Sequence, residues 1–196
     1  SNSCIMFNKE IMDALGITQE DVQTEEGFYA ACEKVKNSGY QVDGQSVLPV
    51  VLQCNLWINS SLDGIVSWNF GAVPVDENGN YRHMELSPGY KNGLKFLNTL
   101  VQKNYLDVNT LTIDETALKT YLDAKRVFCW IGNQAQQDKT NMPWVSFGPI
   151  LASNGARPAM PVNQSAGTGW IQTLVSKDCK NPEKIAKLLS WASSQE

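Results

Sequence analysis

The chain has 196 residues and a formal net charge of −4; 42% of its residues are hydrophobic and 18% are charged. This composition is typical of one globular domain and excludes both intrinsic disorder and two full-sized domains. The mild acidity disfavours nucleic acid as a partner, and no apolar run approaches the roughly 18 residues of a membrane span. Residues 1–4 are interpreted as the remnant of a cleaved tag followed by the start of the fold.

Two short helices are predicted at the start of the chain. Apolar residues at helical spacing indicate a first helix over residues 9–15, with Gly16 as its C-cap. A second helix is predicted from Thr24, a good N-cap, to about Ser38. The residues expected to face inward are Ile11, Met12, Leu15, Phe28, Cys32 and Val35.

A buried strand and a hairpin are predicted next. The apolar run over residues 47–52 is typical of a buried strand, with Pro49 at its beginning or on an edge. Residues 53–64 favour a helix. Residues 72–84 predict a hairpin whose turn is Asp76–Asn80, a segment that lacks the alternating ligands of a calcium loop.

The second half alternates helices and short strands, which favours an α/β or α+β layer architecture. The strongest helical pattern is expected to bury Tyr90, Leu94, Leu97, Leu100, Val101 and Tyr105. The last helix is expected to bury Ile185, Leu188, Leu189 and either Trp191 or Ala192. Helices are predicted over 88–105, from 114 and from 182; strands over 127–131, 144–147 and 170–176; and a loop over 148–161.

Cysteine and histidine are too scattered for a metal site or a nucleophilic active site. The five cysteines lie at wide, irregular gaps, and His83 is the only histidine, so zinc would lack a ligand set. Cys32 and Cys129 are expected to be buried hydrophobic side chains, and His83 is expected on the surface. The acidic residues fall mostly in helix first turns or in turns. The sequence therefore predicts no catalytic residue, metal or cofactor.

Tryptophan is the most informative residue type in the chain. An indole can stack on the apolar face of a sugar ring while nearby amides bond its hydroxyls. Polar amides follow Trp57 and Trp130, so a sugar-binding role and a core role are both open for these two. The tryptophans are Trp57, Trp68, Trp130, Trp144, Trp170 and Trp191.

Motifs from about residue 5 to 194 keep the order of those in one known family. Met6–Glu10 resembles a Tyr-Asn-Lys-(Asp/Glu) opening, and Thr24–Phe28 lies where a Thr-Trp-Asp-Glu-Phe motif is usual, with Gly27 in place of Glu. Val127–Gly132 is similar to the strand before a ligand-contacting loop. Gly167–Lys184 looks like a strand followed by an Asn-Pro-Glu-Lys helix. Together they resemble the bacterial extracellular solute-binding proteins of ABC importers, in the sugar-binding group that includes maltose-binding protein.

The resemblance implies a fold and a domain division. The implied fold is α/β, an α+β-like lobe of the type II periplasmic-binding-protein kind, helix-rich with a small mixed sheet. Family members have two lobes and about twice this length. Residues 5–160 are therefore expected to form the second lobe, and residues 161–196 a returning strand and C-terminal helix packed on that lobe or near the hinge.

The resemblance also implies a ligand site on two loops, with a third element near the crossover. Asparagine and glutamine would bond the ligand's hydroxyls, and the indoles would stack on it. The residues implied are Asn55, Leu56, Trp57, Trp130, Asn133, Gln134 and Trp170. The loop after Gly132 lacks the aromatic residue that maltose-type binders carry there, which argues against maltose.

The function implied is non-covalent capture of an extracellular solute, a mono- or oligosaccharide, for delivery to a membrane permease. The implied partners are the solute, the ABC permease subunits and the missing first lobe, and the implied location is the outer surface of a Gram-positive bacterium, with a lipid anchor on the parent protein. Two alternatives stay open: a carbohydrate-active enzyme or accessory carbohydrate-binding module, and a structural domain that merely exposes aromatic residues.

Overall fold

A computed structural model describes residues 3–52, 67–112, 114–133, 143–159 and 174–192. The chain divides into two compact units, Ser1–Pro161 and Val162–Glu196. The strands are β1 (Ser3–Asn8), β2 (Gln41–Val42), β3 (Gln45–Ser46), β4 (Leu48–Leu52), β5 (Val127–Asn133) and β6 (Trp144–Val145). The helices are α1 (Lys9–Leu15), α2 (Glu25–Asn37), α3 (Ser67–Asn69), α4 (Pro88–Gln102), α5 (Glu115–Asp123) and α6 (Pro182–Ala192).

A small mixed sheet lies at the centre of the first unit, in the order β4-β5-β1-β6. β5 runs parallel to β4 and antiparallel to β1, and β6 is antiparallel to β1. Pro49 lies in the edge strand β4, where a residue without an N–H is tolerated. The predicted helix-rich lobe with a small mixed sheet is confirmed.

Alternate strand residues face opposite sides of this sheet, and each side has its own apolar cluster. The large cluster packs the sheet against α1, α2 and α4; it includes Ile5, Phe7, Met12, Phe28, Cys32, Phe96, Leu100, Cys129 and Ile131. The small cluster packs the other side against α5; it contains Met6, Val51, Leu118, Leu122, Val127 and Trp130. The burial predicted for Cys32 and Cys129 is confirmed, and burial raises the pKa of both thiols.

Buried Asn8 joins the sheet to its first helix. Its side-chain oxygen accepts hydrogen bonds from the backbone N–H groups of Glu10 (3.0 Å) and Ile11 (3.3 Å) and so caps α1. Its Nδ2 donates to the Lys125 carbonyl (3.1 Å), next to the start of β5. Gly16 ends α1 at φ 59°, as predicted for a left-handed C-cap.

Gly27, the departure from the family motif, has a steric reason. Thr24 Oγ1 accepts a hydrogen bond from Gly27 N (3.1 Å) at the start of α2. A Cβ on residue 27 would lie 2.4 Å from the carbonyl oxygen of Asp21, in the 3₁₀ turn Glu20–Val22. Because that oxygen belongs to the backbone, a glutamate does not fit here without moving the turn.

Helix α4 begins as predicted, but one residue of its inward face differs. Ser87 caps it by accepting from Tyr90 N (3.2 Å), and Pro88 occupies the first turn. The prediction that Leu94 is buried is wrong, since its side chain is 47% exposed. Phe96 is buried instead and packs against Phe28 and Phe70, with ring centroids 5.7 and 5.2 Å apart.

Tyr105, just after α4, ties the end of that helix to α2. Its hydroxyl donates to Glu33 Oε2 (2.6 Å), and the Lys36 and Lys103 ammonium groups lie 5.7 and 5.9 Å from its ring centroid. The Tyr105 hydroxyl, with the Asn37 side chain, holds the pKa of Glu33 below its usual range. Burial, reinforced by the same hydrogen bond, raises the pKa of Tyr105.

Replacing Tyr105 with phenylalanine should therefore raise the pKa of Glu33. A carboxyl group whose pKa is lowered by folding stabilises the folded state above its unfolded pKa, and that stability is lost as pH falls through the folded pKa. Tyr105→Phe should shrink this acid loss, and a carboxyl ¹³C titration measures the shift directly. Tyr40→Phe is the control; an unchanged Glu33 titration in Tyr105→Phe would show that the hydroxyl is not its main partner.

Three further predictions differ from the structure. The expected hairpin over 72–84 is reduced to one bridge between Val75 and Tyr81, because the chain turns into a 3₁₀ helix at Met84–Leu86. Within the second unit, Trp191 of α6 is 70% exposed and Leu188 is 59% exposed, so no described part of that unit covers the apolar stripe of this helix. Of the predicted strand over 170–176, only residues 174–176 are described, and they have no strand structure.

Candidate ligand-binding site

The two strands that precede the candidate loops, β4 and β5, end at the same edge of the sheet, which is formed by their carboxyl ends. β4 and β5 are neighbours and run parallel, with Leu52 in register with Ile131. β4 ends at Leu52 and β5 ends at Asn133. The carboxyl ends of β4 and β5 therefore lie side by side, and in open α/β sheets ligands bind beyond the carboxyl ends of the strands.

Most predicted site residues lie outside the described part of the chain. Asn133 is the last residue of β5, and its backbone pairs with Ser3 of β1. Those outside the described residues are Asn55, Leu56, Trp57, Gln134 and Trp170. Their roles stay predictions. The support for four of them is that they follow β4 or β5 in the sequence and that these two strands end at the same edge of the sheet.

Trp130 is the one predicted stacking residue whose side chain is described, and the structure places it in the core. It lies in the small cluster and is 0% exposed, with Trp144 in a T-shaped contact at a centroid distance of 6.1 Å. Its ring therefore has no open face for a sugar in this structure. The signal for burial was present in the sequence, because Trp130 lies in the middle of the continuous apolar run Val127–Ile131.

Two indole donors on this side of the sheet lack acceptors. Among the described residues, Trp130 Nε1 and Trp144 Nε1 are buried and form no hydrogen bond. A buried donor without an acceptor costs about 1–3 kcal/mol. An ordered water would therefore stabilise the pair. Sequence reasoning missed Trp144, which read only as a strand residue.

The described polar groups perform structural tasks rather than assembling a reaction centre. Glu25 accepts from the Tyr29 hydroxyl (2.9 Å) and from both N and Oγ of Ser153 (3.0 and 2.8 Å). Asp114 caps α5. His83 is exposed, as predicted, and lies 6.1 Å from the Tyr81 ring. In the part of the chain that the structure describes, no group of three histidine, cysteine or carboxylate side chains could hold a metal ion.

The fold matches part of several solved sugar-binding proteins. The S. pneumoniae ABC-transporter substrate-binding protein FusA, in complex with kestose, matches at 16% identity and a TM-score of 0.67, over 83% of this chain and 34% of that one. An extracellular solute-binding protein from Bifidobacterium longum subsp. infantis matches at 15% identity and a TM-score of 0.61, over 78% and 34%. A Bacillus licheniformis sugar transporter in complex with stachyose matches at 15% identity and a TM-score of 0.55, over 99% and 50%.

These matches confirm the fold expected from the resemblance, that of solute-binding proteins of the periplasmic type. The chain spans about a third to a half of the length of the solved proteins. They are binding and transport proteins rather than enzymes by name. No protein-family model and no curated protein matches the sequence. No helix within the described residues is both long and apolar enough to cross a membrane.

Proposed function

We propose that this chain is one lobe of a solute-binding protein that captures an extracellular carbohydrate for an ABC importer. Capture is non-covalent, and the sugar is released unchanged. The observation that carries the proposal is the exit of β4 and β5 at one edge of a sheet whose fold is shared with sugar-binding proteins. That edge supplies a place where two loops can contact one ligand.

Residues 5–160 form the second lobe in this proposal, and residues 161–196 return toward the first lobe as a strand and a helix. The division of the chain after Pro161 supports this boundary. The coverage of only 34% to 50% of the matched proteins supports a partner lobe elsewhere in the parent protein. Ligand contacts on both lobes would then drive hinge closure, and the permease would recognise the closed form. The parent would be anchored by lipid at the outer surface of a Gram-positive bacterium.

The proposed ligand is a small oligosaccharide held by side-chain amides and indoles. Solved proteins with this fold hold kestose, laminaribiose and stachyose. Indole rings cover the apolar faces of sugar rings, and amides satisfy hydroxyls that lose water on binding. The residues proposed to make these contacts are Asn55, Leu56, Trp57, Asn133, Gln134 and Trp170. Trp130 has a structural role in this proposal, because it anchors β5 in the small cluster.

The test is ligand binding by the intact two-lobed protein. Thermal shift against kestose, stachyose, laminaribiose and glucose should identify at least one stabilising sugar, and calorimetry then gives its Kd. Trp57→Ala should weaken binding about tenfold or more, since loss of a stacking contact worth about 1.4 kcal/mol corresponds to that factor. Tyr81→Ala, at a 75% exposed aromatic residue of the first unit outside the candidate loops, is the control.

Three outcomes would contradict the proposal. Equal affinities for Trp57→Ala and Tyr81→Ala would remove Trp57 from the site. Sustained release of sugar products would favour a carbohydrate-active enzyme. Binding by this chain alone as tight as by the intact protein would favour an independent carbohydrate-binding module, because a single lobe of a two-lobed receptor makes only part of the contacts.

A further inference from the structure

A polar pocket lies in the first unit, on residues outside the candidate loops. It has a volume of about 380 Å³ and opens to solvent. Two arginines, Arg82 and Arg157, and two asparagines, Asn92 and Asn154, line it. Arg82 and Asn92 are half-buried, while Arg157 and Asn154 are exposed. In a chain with a net charge of −4, this concentration of guanidinium and amide donors around one cavity calls for a physical reason.

The walls of this arginine pocket are built from closely packed backbone. A Cβ on Gly89, in the first turn of α4, would lie 2.4 Å from Ala72 N. Gly71 has φ 78°, and a Cβ there would lie 2.9 Å from the carbonyl oxygen of Arg157. Only glycine fits both positions without moving backbone, so the loop that carries Arg157 is fixed against the loop before α4.

Hydrogen bonds hold the same two loops together. Buried Asn69 donates through Nδ2 to the Ile150 carbonyl (2.6 Å) and accepts through Oδ1 from Ile150 N (2.8 Å). Ala159 N donates to the Trp68 carbonyl (2.8 Å). The pocket is therefore already formed without a ligand, which reduces the ordering that binding requires.

Arg82 carries a donor that the described protein does not use. Its backbone N–H donates to the Pro74 carbonyl (2.9 Å), whereas its side-chain Nε is buried and has no hydrogen-bond partner among the described residues. Within the same part of the chain, neither Arg82 nor Arg157 forms an ion pair. A buried guanidinium donor left unsatisfied is costly, and an anionic acceptor is what it would bond most strongly.

Asp76, the carboxylate on which the charge of Arg82 acts, is occupied elsewhere. Asp76 Oδ1 accepts from the backbone N–H groups of Asn78 (2.9 Å) and Asn80 (2.8 Å). The hydrogen bond from Asn80 N contributes most to holding the pKa of Asp76 below its usual range. The bond from Asn78 N and the charge of Arg82 contribute less. Asp76 thus stays ionised and partly offsets the charge of Arg82, but its oxygens are committed to its own turn.

We propose that the arginine pocket binds a small oxyanion, either inorganic phosphate or sulfate or the carboxylate of a small organic acid, between Arg82 and Arg157. A guanidinium offers a planar pair of donors that matches two oxygens of such a group. The amides of Asn92 and Asn154 add neutral donors, and the pocket wall includes the first turn of α4, whose dipole favours negative charge. This inference does not rest on the proposed capture of sugars and can fail independently of it.

The test follows the Arg82 side chain directly. Sodium sulfate, sodium phosphate and sodium acetate are each titrated into the ¹⁵N-labelled chain at constant ionic strength set with sodium chloride. We expect the Arg82 Nε–H resonance to shift and saturate with at least one of these anions. Saturation with sulfate or phosphate alone would identify an inorganic oxyanion, and saturation with acetate alone would identify a carboxylate.

Charge-neutral variants separate this pocket from general anion binding. Arg157→Gln should weaken binding about tenfold or more, since it removes one of two charged forks, and its exposed position makes folding of this variant secure. Arg82→Gln should do the same, whereas Arg157→Lys should bind with intermediate affinity. Arg126→Gln is the control, because it removes the same charge from a guanidinium that bonds the Ser46 carbonyl (3.1 Å) outside the pocket.

Either of two results would overturn the proposal. One is an Arg82 resonance that does not move up to about 50 mM of any of the three anions, where screening by added salt is held constant. The other is equal weakening by Arg157→Gln and Arg126→Gln, which would mean that the anions respond to net charge rather than to this cavity.

Discussion

Replacing Gly89 with alanine should lower the free energy of unfolding by about 3 kcal/mol, at the upper end of the usual cost of overpacking. The added methyl group would lie 2.4 Å from Ala72 N, 2.6 Å from Gly71 C and 2.6 Å from the Phe70 carbonyl oxygen. All three atoms belong to the backbone, so no side chain can rotate away. Relief requires the loop before α4 to move off the helix, and urea denaturation measures the loss.

The control for this substitution is Asn98→Ala in the same helix. Asn98 is exposed, so this change tests helix propensity without any steric effect and should leave stability within about 0.5 kcal/mol. A Gly89→Ala variant as stable as Asn98→Ala would contradict the close packing of α4 against the loop at Phe70–Ala72. Such a result would also remove the rigid wall on which the arginine pocket depends.

Replacing Trp130 with alanine should lower the free energy of unfolding by about 3–5 kcal/mol. The side chain is 0% exposed and fills the small cluster between the sheet and α5. Its removal leaves a cavity that Leu118 and Leu122 cannot fill without shifting the helix. Trp130→Phe should be milder, because it keeps an aromatic ring and also removes the indole N–H that lacks an acceptor.

This prediction distinguishes a core tryptophan from a ligand-stacking one. Trp191→Ala removes a 70% exposed indole and should change stability by no more than about 0.5 kcal/mol. A Trp130→Ala protein that is as stable as Trp191→Ala but has lost sugar binding would favour stacking of Trp130 on the sugar over its role in the core. Loss of stability with unchanged sugar affinity in Trp130→Phe is the result expected here.

Local chemistry explains why several elements could be predicted from the sequence. Asn8 and Gly16 delimit α1, and Ser87 with Pro88 starts α4, because capping depends on residues within one turn. The strand Val127–Ile131 was clear because a central strand is apolar on both faces. The hairpin Gln41–Ser46 was missed although Asp43 and Gly44, both at positive φ, form a typical tight turn.

The errors come from choices that only tertiary packing makes. Leu94 and Phe96 lie on neighbouring parts of α4, and which one is buried depends on where Phe28 and Phe70 are placed. The apolar stripe of α6 predicts a helix but cannot say whether that stripe is covered. Trp130 followed by amides resembled a sugar contact, although strand alternation places its side chain in the small cluster.

The candidate site was predictable in outline and not in detail. The parallel pairing of β4 and β5 brings the carboxyl ends of these two strands to one edge of the sheet, which motif order alone implied only by resemblance. The arginine pocket had no sequence signal. Arg82 and Arg157 are far apart along the chain. They line one pocket because the loops that carry them are packed together, with Gly71 in close contact with the Arg157 carbonyl.

The most direct test of a sugar-binding lobe is a crystal structure of the intact protein with an oligosaccharide that stabilises it in solution. We expect the sugar between two lobes, in contact with residues 53–57 and Gln134 at the edge where β4 and β5 end. A sugar bound elsewhere on this unit, or a parent protein without a second lobe facing that edge, would contradict it.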